Sequence, residues 1–303
     1  MAKLDHIFIV GLGRTGSTLT RQILNSSEAI GLGSESHFFR DLPRFLVRRR
    51  PSFREQIARV GDIRTDSGAA KVVDFIFSIT DRHYYFWNLR ARNVDRDEFL
   101  SRLLATDRSE RALFELAMAC HAGDKPIRGE KTPAHLFFVP TLLEWFPNAK
   151  VIHTFRDPRA IYASSRTKAA KKRYGPATTL FRQLGLIFEL YSSLQVIVPW
   201  IQAIRLHHRY CARYPDRYYL SRYEDLVCDP EGSLRRLCAF LEVEFTPEML
   251  RQSVVNSSYA PTGQVQGFDA TAIDRWREHL DPLLQRWFLL WCREPLLRFG
   301  YAP

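Results

Sequence analysis

Two short segments carry side chains whose types and spacing suit an oxyanion. The first, Gly11-Leu12-Gly13-Arg14-Thr15-Gly16-Ser17-Thr18, sets Gly11 and Gly16 ahead of two hydroxyl residues. Glycines let the backbone curl with several N–H groups pointing inward. A helix opening at Ser17 would add its unpaired N–H groups and the positive end of its dipole. The frame is that of the phosphate loop G-x-x-x-x-G-K-[ST], with Ser17 where the lysine would stand. Without that lysine no point charge reaches the outer phosphates of a triphosphate. Arg14, inside the loop, offers a planar guanidinium that can grip an oxyanion through two N–H groups. Taken alone, the segment reads equally as a strand-to-helix turn with no ligand. The second segment places Arg156 eight residues before Ser164. An Arg at a strand end and a Ser in the following helix can converge on one dianionic phosphate, each charge-assisted hydrogen bond contributing about 1.5–3 kcal/mol. The alternative is a structural ion pair of Arg156 with Asp157. Glu35, in Gly31-Leu32-Gly33-Ser34-Glu35-Ser36, is a loop carboxylate able to take a proton from a hydroxyl nucleophile, or else a surface residue of a Gly/Ser loop.

These groups need a scaffold, and the hydrophobic pattern supplies one. Ile7–Val10 is a short apolar run stopping at Gly11, and Leu19, Ile23 and Leu24 recur at helical spacing after the loop. Residues 150–155 and 217–221 read as further strands, bounded by Pro147-Asn148 and Pro215-Asp216. Helical patterns cover 133–146, about 159–172, 181–214 and 230–241. Strands alternating with helices predict a P-loop-type, three-layer α/β/α fold with a mainly parallel central sheet. Residues 40–125 interrupt the alternation; they are Arg-rich near 48–64, with helical stretches near 95–105 and 109–121. With no repeat, linker or second alternating block, residues 1–303 read as one domain, with 40–125 a helical insertion forming an acceptor-side cap. Tyr84-Tyr85-Phe86-Trp87 would line a cleft there or belong to the core.

Composition narrows the classes. Of 303 residues, 46% are hydrophobic and 25% charged, and 15 Gly with 16 Pro exclude collagen-like or low-complexity chains. Against 33 Asp and Glu stand 44 Lys and Arg, a formal charge of +11 that calls for an anionic partner: nucleic acid, membrane surface, or a small phosphate- or sulfate-bearing molecule. Cys120, Cys211, Cys228, Cys238 and Cys292 are odd in number and form no C-x-x-C pair, which argues against a disulfide framework or Cys-rich zinc site and for a reducing compartment. His207 and His208 read as a partly exposed helix face, and no metal is expected. Ile7–Val10 is too short for a signal-peptide core. The apolar stretch 184–201, carrying Glu189 and Pro199, reads as a buried helix rather than a span. A cytoplasmic chain without a transmembrane segment is expected.

With both anion segments placed on strand-to-helix junctions, the sequence resembles the sulfotransferases that use 3′-phosphoadenosine 5′-phosphosulfate (PAPS). Arg14-Thr15-Gly16-Ser17-Thr18 is similar to that family's 5′-phosphosulfate loop, R-[ST]-G-[ST]-[ST]. Arg156 and Ser164 are similar to its 3′-phosphate motif. The likeness is greatest to the tyrosylprotein-type and related bacterial enzymes, whose Gly-x-Glu matches Gly33-Ser34-Glu35. The resemblance implies that Glu35 is the catalytic base. It implies that Lys131, in Gly129-Glu130-Lys131-Thr132-Pro133, neutralises charge on the leaving phosphate together with Arg14. Lys168, twelve residues after Arg156, matches a basic cofactor residue, and Tyr223, in Tyr223-Glu224-Asp225-Leu226, a nucleotide contact. Asn256-Ser257-Ser258-Tyr259 and Arg275-Trp276 resemble a late loop and an Arg/Lys-Trp pair that close over the cofactor, with Ser257 and Ser258 equally eligible. The implied activity is sulfuryl transfer from PAPS to an acceptor hydroxyl, on protein tyrosine, carbohydrate or glycolipid, or a small alcohol, without metal or nucleic acid. A P-loop kinase of a small molecule and a non-catalytic basic nucleic-acid-binding protein are the alternatives. The resemblance is not visible in 40–125, where acceptor recognition is expected.

Overall fold

The computed structural model describes residues 3–39, 50–170, 185–251 and 268–303. Its strands are β1 (His6–Gly11), β2 (Ile30–Gly33), β3 (Ile127–Lys131), β4 (Lys150–Phe155) and β5 (Tyr218–Arg222). They form a sheet of order β2-β3-β1-β4-β5, with β1 and β2 each parallel to β3. The expected mainly parallel α/β sheet is therefore present. Every residue of β1 is buried, as its unbroken apolar run requires of a strand covered on both faces.

Two compact units divide the chain. The first comprises Met1–Gly11 and Thr20–Ile152, the second Leu12–Leu19 and His153–Pro303. Helix α1 (Ser17–Asn25) begins in the second and continues in the first. The first unit also holds α2 (Phe53–Val60), α3 (Asp66–Phe77), α4 (Arg96–Leu104), α5 (Glu110–Ala122) and α6 (Val139–Trp145). Helices α2 to α5 each start on a side-chain cap, Ser52, Thr65, Asp95 and Ser109, which accepts a backbone N–H of the first turn. Their shared core is aromatic: Phe53 stacks on Trp87 at 3.8 Å and Phe38 on Phe114 at 4.8 Å. Tyr84, Phe86 and Trp87 are buried, so three rings of the Tyr84–Trp87 cluster belong to this core and only Tyr85 is exposed. Arginines of the insertion are partly neutralised on the spot, Arg50 by Asp81 and Arg54 by Glu110. Arg44, Arg48 and Arg49 lie outside the described residues.

The second unit holds α7 (Pro158–Ala170), α8 (Leu186–Arg213), α9 (Tyr223–Cys228), α10 (Pro230–Leu241), α11 (Trp276–His279) and α12 (Pro282–Arg298). Phe155, Ile161, Ile197, Trp200, Trp276 and Phe288 make its core. Helix α8 departs from the expectation of a buried helix. Only one stripe, including Ser193, Ile197, Trp200 and Ile204, is buried, while Leu186, Ile187 and Val198 are exposed. By length and composition alone it is apolar enough to cross a membrane. The total apolar content of a segment does not fix how many of its faces find protein partners.

Strands β2 and β3 were not visible as strands in the sequence. Ile30-Gly-Leu-Gly is four residues long, and Ile127-Arg-Gly-Glu-Lys carries three charges, so neither shows an apolar run. Gly33 is required by its setting: a Cβ there would lie 2.4 Å from the Phe86 ring.

Candidate active site

The second unit gathers the anion-binding candidates. After β1 the chain turns through Arg14 (φ 70°) and Gly16 (φ 87°), the left-handed conformation that suits glycine and strains arginine. A Cβ on Gly16 would also lie 2.7 Å from Tyr223 Cδ2, so the loop and the start of α9 are packed backbone against ring. Arg14 Nε donates to Ser164 Oγ at 2.9 Å, joining the loop to α7. The Thr15 hydroxyl faces inward, donating to Leu12 O at 2.7 Å and meeting Thr154 Oγ1 at 2.8 Å. Ser17 is buried at the first turn of α1, and Thr18 is half-buried beside it.

Arg156 sits at the end of β4, buried over the Tyr223 ring at 4.1 Å. Its Nη1 donates to Arg14 O at 3.2 Å and its Nη2 to Ala272 O at 3.0 Å. Its buried Nε has no hydrogen-bond partner among the described residues. The alternative, an ion pair with Asp157, does not form: Asp157 takes Arg159, through Nη2 at 2.8 Å, and Arg159 lies over the Trp276 ring at 4.1 Å. The Asp157 N–H donates to Glu224 Oε1 at 3.0 Å, and Tyr301 donates to Glu224 Oε2 at 3.1 Å. Burial raises the Glu224 pKa. Arg275 pairs with Asp269 and also donates to Thr271 Oγ1 at 2.8 Å, next to the Ala272 carbonyl that Arg156 holds.

The first unit holds the proton-transfer candidates. The registers Ile9↔Lys131 and Gly33↔Glu130 bring the ends of β1, β3 and β2 level. Within this unit, the Glu35 loop after β2 and Lys131 at the end of β3 thus leave from neighbouring strands. Lys131 is buried and ion-paired with Glu35, whose side chain is 41% exposed. His37 Nε2 approaches the other Glu35 oxygen at 3.4 Å. The His37 backbone is left-handed (φ 47°), and its ring stacks on His83 at 4.0 Å. Burial alone would push the Glu35 pKa up; the hydrogen bond from His37 and the Lys131 ammonium outweigh it and bring the group down to about 2.

Beneath this pair lies a fully buried polar relay. His135 Nδ1 donates to Glu130 Oε1 at 2.9 Å, and its Nε2 accepts the Phe39 N–H at 3.2 Å, which fixes a neutral tautomer. Thr132 donates to Glu130 Oε2 and accepts the Ser36 N–H at 2.9 Å, while Trp87 Nε1 donates to Ser36 O at 2.8 Å. The residues next to Lys131 and next to Glu35 are thereby held on one scaffold.

The structure brings Arg14, Ser164, Arg156, Gly16 and Tyr223 together, and Glu35 with Lys131. Lys168 lies in α7 with its side chain outside what is described, and Ser257 and Ser258 lie outside the described residues. Sequence reasoning missed His37, Glu130 and His135. A Glu-x-His spacing was the one local signal for His37, and only the long-range contacts reveal the other two.

Residues 6–247 match the sulfotransferase family, and the chain belongs to it. It is similar to the omega-hydroxy-beta-dihydromenaquinone-9 sulfotransferase Stf3 of Mycobacterium tuberculosis, 35% identical over 164 residues, which is 50% of this chain and 39% of that protein. The protein-tyrosine sulfotransferase of Drosophila melanogaster is 25% identical over 250 residues, 82% of this chain and 40% of that one. The matches thus span about two fifths of these relatives' length. The same fold occurs in the sulfotransferase domain from the curacin biosynthetic pathway (TM-score 0.55, 20% identity, 99% of each chain). It also occurs in that of the Synechococcus PCC 7002 olefin synthase (TM-score 0.56, 18% identity, 93% of this chain and 90% of the other).

Proposed function

We propose that this chain moves the sulfuryl group of PAPS to an acceptor hydroxyl. One observation carries the reading: Arg156 is a buried guanidinium held by two carbonyls and a ring, and among the described residues its Nε has no hydrogen-bond partner and it makes no ion pair with a carboxylate. A buried cation so placed is completed by an anion from outside the chain, and a nucleotide 3′-phosphate fits that requirement. Arg156 and Ser164 hold the 3′-phosphate in this reading, and Tyr223, with Arg275 nearby, contacts the nucleotide. The N–H groups at Gly16–Thr18, with Arg14, take the 5′-phosphosulfate.

Glu35 accepts the acceptor's hydroxyl proton as the new O–S bond forms. The bond between sulfur and the 5′-phosphate oxygen breaks, its electron pair stays on that phosphate, and adenosine 3′,5′-bisphosphate leaves. By analogy with phosphoryl transfer, charge spreads over the sulfuryl oxygens and leaving phosphate, where Lys131 and Arg14 neutralise it. As the Lys131 ammonium turns toward that charge, Glu35 loses one of its two partners and its affinity for a proton rises. The two relatives are named for an omega-hydroxy compound and a protein tyrosine, which supports a hydroxyl as the acceptor group. The reading treats the chain as one catalytic domain in which 40–125 receives the acceptor. It also places the reaction in the cytoplasm, with which the free cysteines agree.

Titration calorimetry with adenosine 3′,5′-bisphosphate tests it. Binding is expected for the native chain and is expected to weaken by about 100-fold in Arg156→Ala, the loss of one or two charge-assisted hydrogen bonds. Binding of ATP with magnesium but not of the bisphosphate would overturn the proposal in favour of a kinase.

A further inference from the structure

Helix α12 buries one apolar stripe and exposes a second that alternates leucine with arginine. Leu284, Phe288, Cys292 and Leu296, four residues apart, are buried. On the outer face Leu283, Leu290 and Leu297 are exposed by 58%, 73% and 54%, and Trp291 by 48%. Arg286 and Arg293 fall on the same outer line, so positions 283, 286, 290, 293 and 297 read Leu-Arg-Leu-Arg-Leu at spacings of three and four. Among the described residues neither arginine has a carboxylate partner, whereas Arg298 pairs with Glu294. Helix α8, packed against α12, adds exposed Leu186, Ile187 and Val198, and exposed Arg205, Arg209 and Arg213 toward its C-terminus.

We infer that this face of the second unit rests on an anionic lipid bilayer surface. The pattern decides among occupants. Water alone leaves Leu283, Leu290, Trp291 and Leu297 exposed along one helix face, a grouping that marks an interaction site rather than a scatter of single residues. A second copy packed two-fold about Leu290 would set the Arg286–Arg293 row against its own image, like charge on like. A bilayer with anionic headgroups satisfies both halves of the pattern. The leucines enter the acyl boundary, Trp291 sits at the interface, and the guanidiniums reach up their own stems to the phosphates. The contact lies in the membrane plane rather than across it, because α8 keeps Ile197, Trp200 and Ile204 in the protein core.

Vesicle flotation tests this with phosphatidylglycerol/phosphatidylcholine mixtures against pure phosphatidylcholine. Binding to the mixed vesicles is expected, falling with added salt and at least about ten-fold weaker on phosphatidylcholine alone. Leu290→Glu is expected to lower binding to both, and the double variant Arg286→Glu/Arg293→Glu to remove the preference for phosphatidylglycerol. Unchanged adenosine 3′,5′-bisphosphate binding and thermal midpoint in each variant confirm that the fold is kept. If Leu290→Glu misfolds, Leu290→Gln with the same readout replaces it. No binding to mixed vesicles, equal binding to both compositions, variants that bind like the native chain, or a dimer that Leu290→Glu dissolves would each overturn the inference.

Discussion

Two buried cations, Arg156 in the second unit and Lys131 in the first, are treated in opposite ways. Among the described residues Arg156 makes no ion pair and rests on neutral groups, the carbonyls of Arg14 and Ala272 and the ring of Tyr223, with the Glu224 carboxylate acting on it only at longer range. In the first, Lys131 is neutralised by Glu35, itself bridged to His37. Burying a charge without a counter-charge is costly, so a site that does so is organised for an anion the chain does not supply. A half-exposed ion pair behaves differently. It costs little to open and can exchange one partner for another, which suits groups that must change charge during a reaction. The contrast separates binding from chemistry, and substitutions on the two sides should separate them too.

The largest effect is expected from Glu35→Gln, which removes the proton acceptor while keeping the side-chain shape. Turnover should fall by about 10²–10⁴-fold, the usual span for losing a general base. Bisphosphate affinity should stay within about two-fold, because Glu35 contributes nothing to the Arg156 cluster under this division of roles. Steady-state kinetics beside calorimetry reads both quantities. A parallel loss of nucleotide binding would erase the contrast and make Glu35 a structural residue.

On the other side, Gly16→Ala places a methyl group 2.7 Å from the Tyr223 ring at a φ of 87°. Strain of this kind is typically about 1–3 kcal/mol, so nucleotide affinity should weaken by about ten-fold or more. Part of that cost is contact with the ring, so adding Tyr223→Ala should recover some of it, and the pair should be non-additive in a double-mutant cycle. Additive losses would mean that the loop and α9 do not form one site.

How much of this was legible in the sequence depended on whether each feature was local. The Gly11–Thr18 loop and the Arg156–Ser164 spacing are contiguous or nearly so, and residue type alone encodes their chemistry. Strand β3 was hidden because its charged residues are satisfied by protein groups rather than water: His135 and Thr132 donate to Glu130, and Lys131 pairs with the distant Glu35. The ion pair of Arg156 with Asp157, the alternative reading of that segment, does not form, because Asp157 pairs with Arg159. Arg156 and Arg159 are both within reach, and the choice is made by Trp276, which receives the Arg159 guanidinium. His37 could not be assigned from its neighbours, since a left-handed backbone aims its ring at His83, far along the chain.

The smallest expected effect probes His37 and sharpens the account of the first unit. Glu35 is faced by Lys131 and His37, and the Arg21 guanidinium also acts on it electrostatically. Its carboxylate is held down at about 2, below the ordinary carboxylate range. The contribution to stability is therefore present above that ordinary range and is lost as the pH falls toward 2. His37→Ala removes the hydrogen bond that most favours the charged form, so the Glu35 pKa should rise toward its ordinary value. The acid limb of the kcat/KM profile should then move to higher pH by up to about one unit, with only a few-fold change in kcat on the plateau. Partial exposure of Glu35 and solvent screening keep the shift modest. A His37 that merely packs on His83 would lower the plateau and leave the limb in place, and that outcome would confine the electrostatic control of Glu35 to Lys131 and Arg21.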